Sequence, residues 1–206
     1  MSAPARRSAA ALLALAAPAA LAGCGSAATS PPGSPPAHIV PATAAPAAAQ
    51  GRPAAPMARS EPVRVRVPAA GVDAGPVLAL GLAADGTVEV PSVADAGRIG
   101  WYDKGVTPGE TGPAVLIGHF DTARGPAVLK DVAKVRTGDE ISVQRADGTT
   151  AVFRVRELEQ VDKKAFPTRK VYGDTTRPEL RLITCGGELV DGHRPDNIIL
   201  YADLVA

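Results

Sequence analysis

Across residues 61–206 the apolar residues recur in short runs with a period of two, and Gly, Pro and Asp-Gly break the runs. Val63, Val65 and Val67 alternate with Arg64 and Arg66 and stop at Pro68, the mark of a half-buried strand. Residues 77–82 and 87–90 flank Asp85-Gly86, and residues 141–145 and 151–158 flank Asp147-Gly148, so two hairpins are predicted. Residues 113–119 are apolar enough for a buried strand, and residues 180–184 and 198–204 form the last two. Residues 92–105, with Trp101 and Tyr102, read as a short helix and loop. Residues 125–135 carry apolar side chains at Val128, Leu129 and Val132 and read as a short helix. Many short strands and few helices predict an all-β domain, a sandwich or a closed barrel. Aromatics are only 3% of the chain, so its core is Val, Leu and Ile, with Trp101 a core or rim aromatic. There is no internal repeat, P-loop or dinucleotide fingerprint.

The first 60 residues follow other rules. Arg6 and Arg7 precede an apolar, Ala-rich run over residues 9–22. That run is short of the ~20 residues a bilayer span needs. It fits a secretory signal peptide over residues 1–23. The run ends in Leu21-Ala22-Gly23-Cys24, similar to a bacterial lipobox, in which the cysteine takes a diacylglycerol and becomes the new N-terminus. Ordinary cleavage nearby, with Cys24 lost or free, is the alternative. Of the 36 residues 25–60, 12 are Ala and 8 are Pro, too few large apolar groups to offset the entropy of ordering. Residues 24–60 therefore read as a lipidated cysteine and a semi-extended linker, reaching on the order of 100 Å from an extracellular membrane face. His38 and Met57 are read as solvent-exposed linker residues. A net charge of +1 supplies no field for nucleic acid. Two cysteines, Cys24 and Cys185, are too few and too far apart for a disulfide scaffold.

Three stretches of 61–206 place polar groups at strand ends, where a rigid scaffold meets loops. They are Gly118-His119-Phe120-Asp121, Leu182-Ile183-Thr184-Cys185-Gly186-Gly187 and Gly192-His193-Arg194-Pro195-Asp196-Asn197. A thiol followed by two glycines lets a substrate chain approach closely. A thiolate is a nucleophile, an imidazole such as His119 exchanges protons near neutral pH, and an arginine can hold an oxyanion. Cys, His and Arg together suit acyl transfer through a thioester. Each also has a plain structural reading: Cys185 as a small buried hydrophobe, His119 as a strand cap, His193 and Arg194 as surface residues.

The ordered set of strand–Gly-His-x-Asp, strand–Thr-Cys-Gly-Gly and Asp-Asn–strand resembles the sortases, in particular the class F sortases of actinobacteria. The likeness spans residues 61–206. It implies an all-β, eight-stranded sortase-type β-barrel with short helices as the catalytic domain. It implies that Cys185 attacks the Thr–Gly carbonyl of an LPXTG-like sorting signal. A peptidoglycan precursor amine then resolves the thioacyl enzyme, with no cofactor and no metal. His119 would protonate the leaving amine and Arg194 would hold the oxyanion. Asp121 would orient loop backbone or His119, and Thr184 would support the site. In the family pattern the arginine directly precedes Asp-Asn, where this chain has Pro195. A shift of one residue reverses a strand side chain, so Arg181, on the strand face of Cys185, is the second candidate. Three other functions stay open. One is an L,D-transpeptidase. Another is a lipoprotein binding metal through His119, Asp121, Asp191, His193 and Cys185. The third is an inactive sortase-like binding module.

Overall fold

The alternation at Val63 to Val67 becomes an edge-proximal strand with an irregular start. In a computed structural model, which describes residues 38–39 and 54–206, Val65 and Val67 are fully buried but Val63 is exposed. A bulge in the register between Pro62 and Arg64 shifts the pattern by one and lets Pro62 take the buried place. The strands are β1 Pro62–Val67, β2 Val72–Ala74, β3 Leu78–Leu80, β4 Ile99–Tyr102, β5 Gly112–Gly118, β6 Asp121–Thr122, β7 Gly125–Pro126, β8 Glu140–Arg145, β9 Thr150–Asp162, β10 Pro178–Gly186 and β11 Asp196–Leu204. One short helix, α1 Thr168–Tyr172, joins them. Nine strands form one curled sheet in the order β2-β1-β8-β9-β11-β10-β5-β4-β3, and β6 and β7 form a two-stranded ribbon. The expected all-β architecture is present, with nine strands in the main sheet rather than eight. The signal-peptide region and Cys24 lie outside the described residues.

β10 is an interior strand, between β11 and β5. It pairs antiparallel with β11 and parallel with β5, which puts Ile183 beside Ile117 and Leu182 beside Leu116. Strands covered on both faces read as near-continuous apolar runs. Accordingly Leu180 and Leu182 enter a large core with Leu116, Phe153, Ile198 and Leu200. Ile183 enters a second cluster on the other face with Val115, Ile117, Val171, Ile199 and Tyr201. Removing one such large aliphatic side chain from water contributes roughly 1.5–3 kcal/mol.

Three local expectations are corrected. Within residues 92–105 only Val93–Asp95 is helical, a single 3-10 turn, and Ile99–Tyr102 is a strand with Trp101 buried. Gly100 hid that strand: a Cβ there would lie 2.3 Å from Leu80 Cδ1, so close packing requires glycine where sequence suggests a break. Residues 125–135 hold β7 and a 3-10 turn at Val132–Lys134 rather than a helix, with Leu129 and Val132 buried by successive turns. Met57 is packed against the main core, its N–H donating to Gly109 O at 2.8 Å and its sulfur accepting from Arg145. Linker composition concealed this anchor, which extends through Ser60, whose N–H donates to Thr107 Oγ1 at 3.0 Å. Upstream, His38 is exposed, while Ile39 is buried and its N–H donates to Gln160 Oε1 at 3.1 Å.

Candidate active site

Because β5 and β10 run parallel, their C-terminal ends meet at one edge of the molecule, and β11 begins there. Cys185 pairs with Asn197 of β11. His119 and Cys185 each lie two residues beyond the Ile117–Ile183 pair, His119 just past the end of β5 and Cys185 near the end of β10. All four line one groove of about 930 Å³, within the usual range of ligand sites. Buried Ile117 and Ile183 belong to its floor. One wall is the 82–90 hairpin, with Leu82 and Val90 more than half exposed. The other comes from the β9–β10 connection, where Phe166 packs against Tyr172 with ring centres 6.1 Å apart. Cys185 is a free thiol of intermediate exposure, so the sulfur is reachable.

His119 Nε2 lies 2.6 Å from Pro91 O. A carbonyl only accepts, so Nε2 carries the proton and Nδ1 is the basic nitrogen of the neutral ring. The loop after the hairpin thereby fixes the imidazole's tautomer and orientation. A third group went unnoticed in the sequence. Lys163 lies just past β9 and its Nζ donates to Cys185 Sγ at 3.6 Å. Its one sequence signal is the strand stop, where Asp162 Oδ1 accepts from Lys164 N–H at 2.7 Å.

Arg194 is buried and bound elsewhere. Its Nε and Nη2 donate to the Asp121 carboxylate at 2.6–3.0 Å and its Nη1 to Gly187 O at 2.6 Å. Its guanidinium stacks over Phe120, and Arg194 is not among the groove-lining residues. Asp121 thus holds Arg194, not the His119 ring. Gly187 has φ +83°, and a Cβ on it would meet Pro195 and Asp196 at 3.0 Å; here the glycine turns the chain rather than admitting a substrate. The remainder of the loop is a two-residue hairpin, Val190 paired with His193 around Asp191 (φ 49°) and Gly192 (φ 78°). Asp191-Gly192 is the type I′ signal in the sequence that marks this turn.

Arg181 does share the strand face of Cys185, but four residues down β10, where its side chain donates to Glu179 at 2.7 Å and lies over Tyr201. It is not at the thiol. Thr184 is buried beside Cys185 among the residues that line the groove, its hydroxyl without a partner. The five residues of the metal reading do not gather: Asp121 holds Arg194, and His193 is exposed in the hairpin. Among the described residues no three His, Cys, Asp or Glu side chains form a cluster.

Asp121→Ala is expected to destabilise the fold by about 3 kcal/mol, because it leaves the Arg194 charge buried and unpaired. The Arg194 side chain is 8% exposed in that pair. Urea unfolding followed by Trp101 fluorescence measures it; an unchanged midpoint would show that the ion pair contributes nothing.

No curated protein sequence matches the chain. Solved structures that it resembles include sortase C1 of Streptococcus agalactiae, at 16% identity and TM-score 0.55, covering 71% of this chain and 70% of that one. Sortase C-1 of Actinomyces oris matches at 20% identity and TM-score 0.54, covering 71% and 76%. Sortase A of Corynebacterium diphtheriae matches at 18% and 0.54, covering 72% and 62%. At such identities the likeness establishes the fold. The family model described as the sortase domain matches residues 65–205, well over half of the chain, and the protein belongs to the sortase family.

Proposed function

We propose that this protein is a cysteine transpeptidase that cleaves an LPXTG-like sorting signal at the Thr–Gly bond and passes the acyl group to a cell-wall amine. The observation that carries the reading is a partly exposed thiol near the end of β10 and an imidazole just past the end of β5, both lining one groove. The Cys185 thiolate attacks the carbonyl carbon, the C–S bond forms, and charge moves to the carbonyl oxygen. Collapse breaks the C–N bond, and the leaving amine takes a proton from His119. The incoming peptidoglycan amine then attacks the thioester, gives a proton back to the imidazole and restores the thiolate. Exposed Leu82 and Val90 and the Phe166–Tyr172 pair offer apolar contact to the Leu-Pro part of the signal. An oxyanion role for Arg194 requires its guanidinium to leave Asp121 and Gly187. Thr-Cys-Gly-Gly and the final Asp-Asn support a class F subtype, and Leu21-Ala22-Gly23-Cys24 supports export and lipid tethering at the extracellular membrane face. No observation favours an L,D-transpeptidase.

Intact-mass spectrometry after incubation with an LPXTG peptide tests the chemistry. A gain equal to the Leu-Pro-X-Thr acyl group on Cys185, removed by hydroxylamine, is expected. A protein whose Cys185 alkylates normally but never acquires that mass across a panel of sorting peptides overturns the proposal.

A further inference from the structure

We infer that Lys163 is a catalytic residue: its ammonium holds the negative charge on the Cys185 sulfur, so that the cation serving the thiol comes from the end of β9 and not from the strand that follows the cysteine. This role rests on the thioester chemistry proposed for the same thiol.

Three observations converge on Lys163. First, its Nζ is 3.6 Å from Sγ, in hydrogen-bond range for sulfur. Second, its backbone is fixed. Lys163 N–H donates to Pro195 O at 2.9 Å, and the adjoining turn is capped by Asp162. The long side chain thus starts from a held point and crosses toward β10. Third, nothing competes for the ammonium. Among the described residues Lys163 forms no ion pair, whereas Lys130, Lys134 and Lys170 each lie against carboxylates. The ionisable side chains that line the groove with Cys185 are His119 after β5, Tyr102 from β4, and Lys163 and Tyr172 from the β9–β10 connection. The 82–90 hairpin adds none, and among the described residues no carboxylate lines the groove. An ammonium within hydrogen-bond range of the sulfur, with no carboxylate beside it, favours an anion there by direct Coulomb attraction even at a partly screened site. Arg194 lacks this freedom, being held on one edge by Asp121 and on another by Gly187.

The proton balance is simple. Lys163 stays protonated throughout and donates a hydrogen bond to sulfur. When the C–S bond forms, charge passes from sulfur to the carbonyl oxygen two bonds away, still close to the ammonium. The proton given to the leaving amine comes from His119.

Iodoacetamide alkylation of Cys185 at pH 7, followed by mass mapping of the Cys185 peptide in the full chain, tests the role of Lys163 without any sorting peptide. Lys163→Met is expected to slow alkylation about tenfold, the size of one ion–ion contact at a partly screened site. Lys163→Arg should recover most of the rate. In 6 M urea all three chains should react alike, which separates a folded-state effect from an altered thiol. Lys163 is exposed, so both variants should keep the wild-type urea midpoint. Equal folded-state rates in wild type and Lys163→Met overturn the inference. If the tenfold loss is seen but no peptide ever acylates Cys185, the hold of Lys163 on the thiolate stands, while the transpeptidase reading falls and takes the catalytic role with it. Unimpaired acylation in Lys163→Met removes the lysine from the reaction and leaves the transpeptidase reading in place.

Discussion

Cys185→Ala is expected to abolish cleavage of an LPXTG-type peptide, with a loss on the order of 10⁴-fold or more, as follows when the attacking nucleophile of an acyl transfer is removed. His119 and Lys163 have no bond-forming role of their own here. Without the sulfur there is no thioester to form, and what remains is whatever the groove gains by holding the peptide. The substitution should leave the fold nearly intact. Cys185 is only partly buried, so losing the sulfur costs about 1 kcal/mol of packing at most. Peptide cleavage followed by chromatography decides the matter, with circular dichroism as the folding check. A folded Cys185→Ala protein that still cleaves at the wild-type rate would remove the proposed chemistry altogether.

Glu179→Ala is expected to be the most damaging substitution for stability, at about 3–5 kcal/mol, because it strips the partner from a buried arginine. Glu179 is 5% exposed and accepts from Arg156 and Arg181, each at 2.7 Å, and from Arg177 at 3.1 Å. Arg181 is itself 2% exposed. Burial pulls its guanidinium below the ordinary arginine range, and Glu179 offsets part of that pull. For Glu179, burial alone would raise the carboxyl, but hydrogen bonds from Arg156 and Arg181 outweigh it and hold the group below the usual carboxylate range. The folded protein therefore binds this proton less readily than the unfolded chain. The stabilisation is present above the unfolded value, near pH ~4.3, and is lost as pH falls through the lower folded value. Urea midpoints should fall on acidification below about pH 4 in wild type and fall less in Glu179→Ala. Equal stability of the two proteins at pH 7 would show the network to be dispensable. The network also reaches the groove. Arg181 Nη2 approaches Lys170 O of α1 at 3.5 Å, and Lys170 lies over Tyr201, so loosening it should free Tyr172 and the wall it forms.

How much of this was legible follows from what each residue type can announce. Strands β5, β8, β10 and β11 were readable because Val, Leu and Ile fill them and Asp147-Gly148 marks a turn. Strand β4 was not, since Gly100 is demanded by the approach of Leu80, a contact made between distant parts of the chain. The α1 helix has five residues and no side-chain cap, so it left no pattern. At the site, Cys185 and His119 were legible as polar residues ending apolar strands. Arg194 was legible as a residue but not as the partner of Asp121, because burial of an ion pair depends on the hairpin that folds over it. Lys163 was invisible: one lysine among many, given meaning only when β9 is laid beside β11 and β10.

The parallel pairing of β5 with β10 carries a further consequence for how the enzyme comes to life. His119 and Cys185 are 66 residues apart, with the four strands β6 to β9 and α1 between them. Such a closure is entropically costly and comes slowly in folding. A nascent or partly unfolded chain therefore carries its sulfur without imidazole or ammonium nearby, and is protected from premature reaction. The reactivity of that one sulfur during refolding clocks the closing of the sheet.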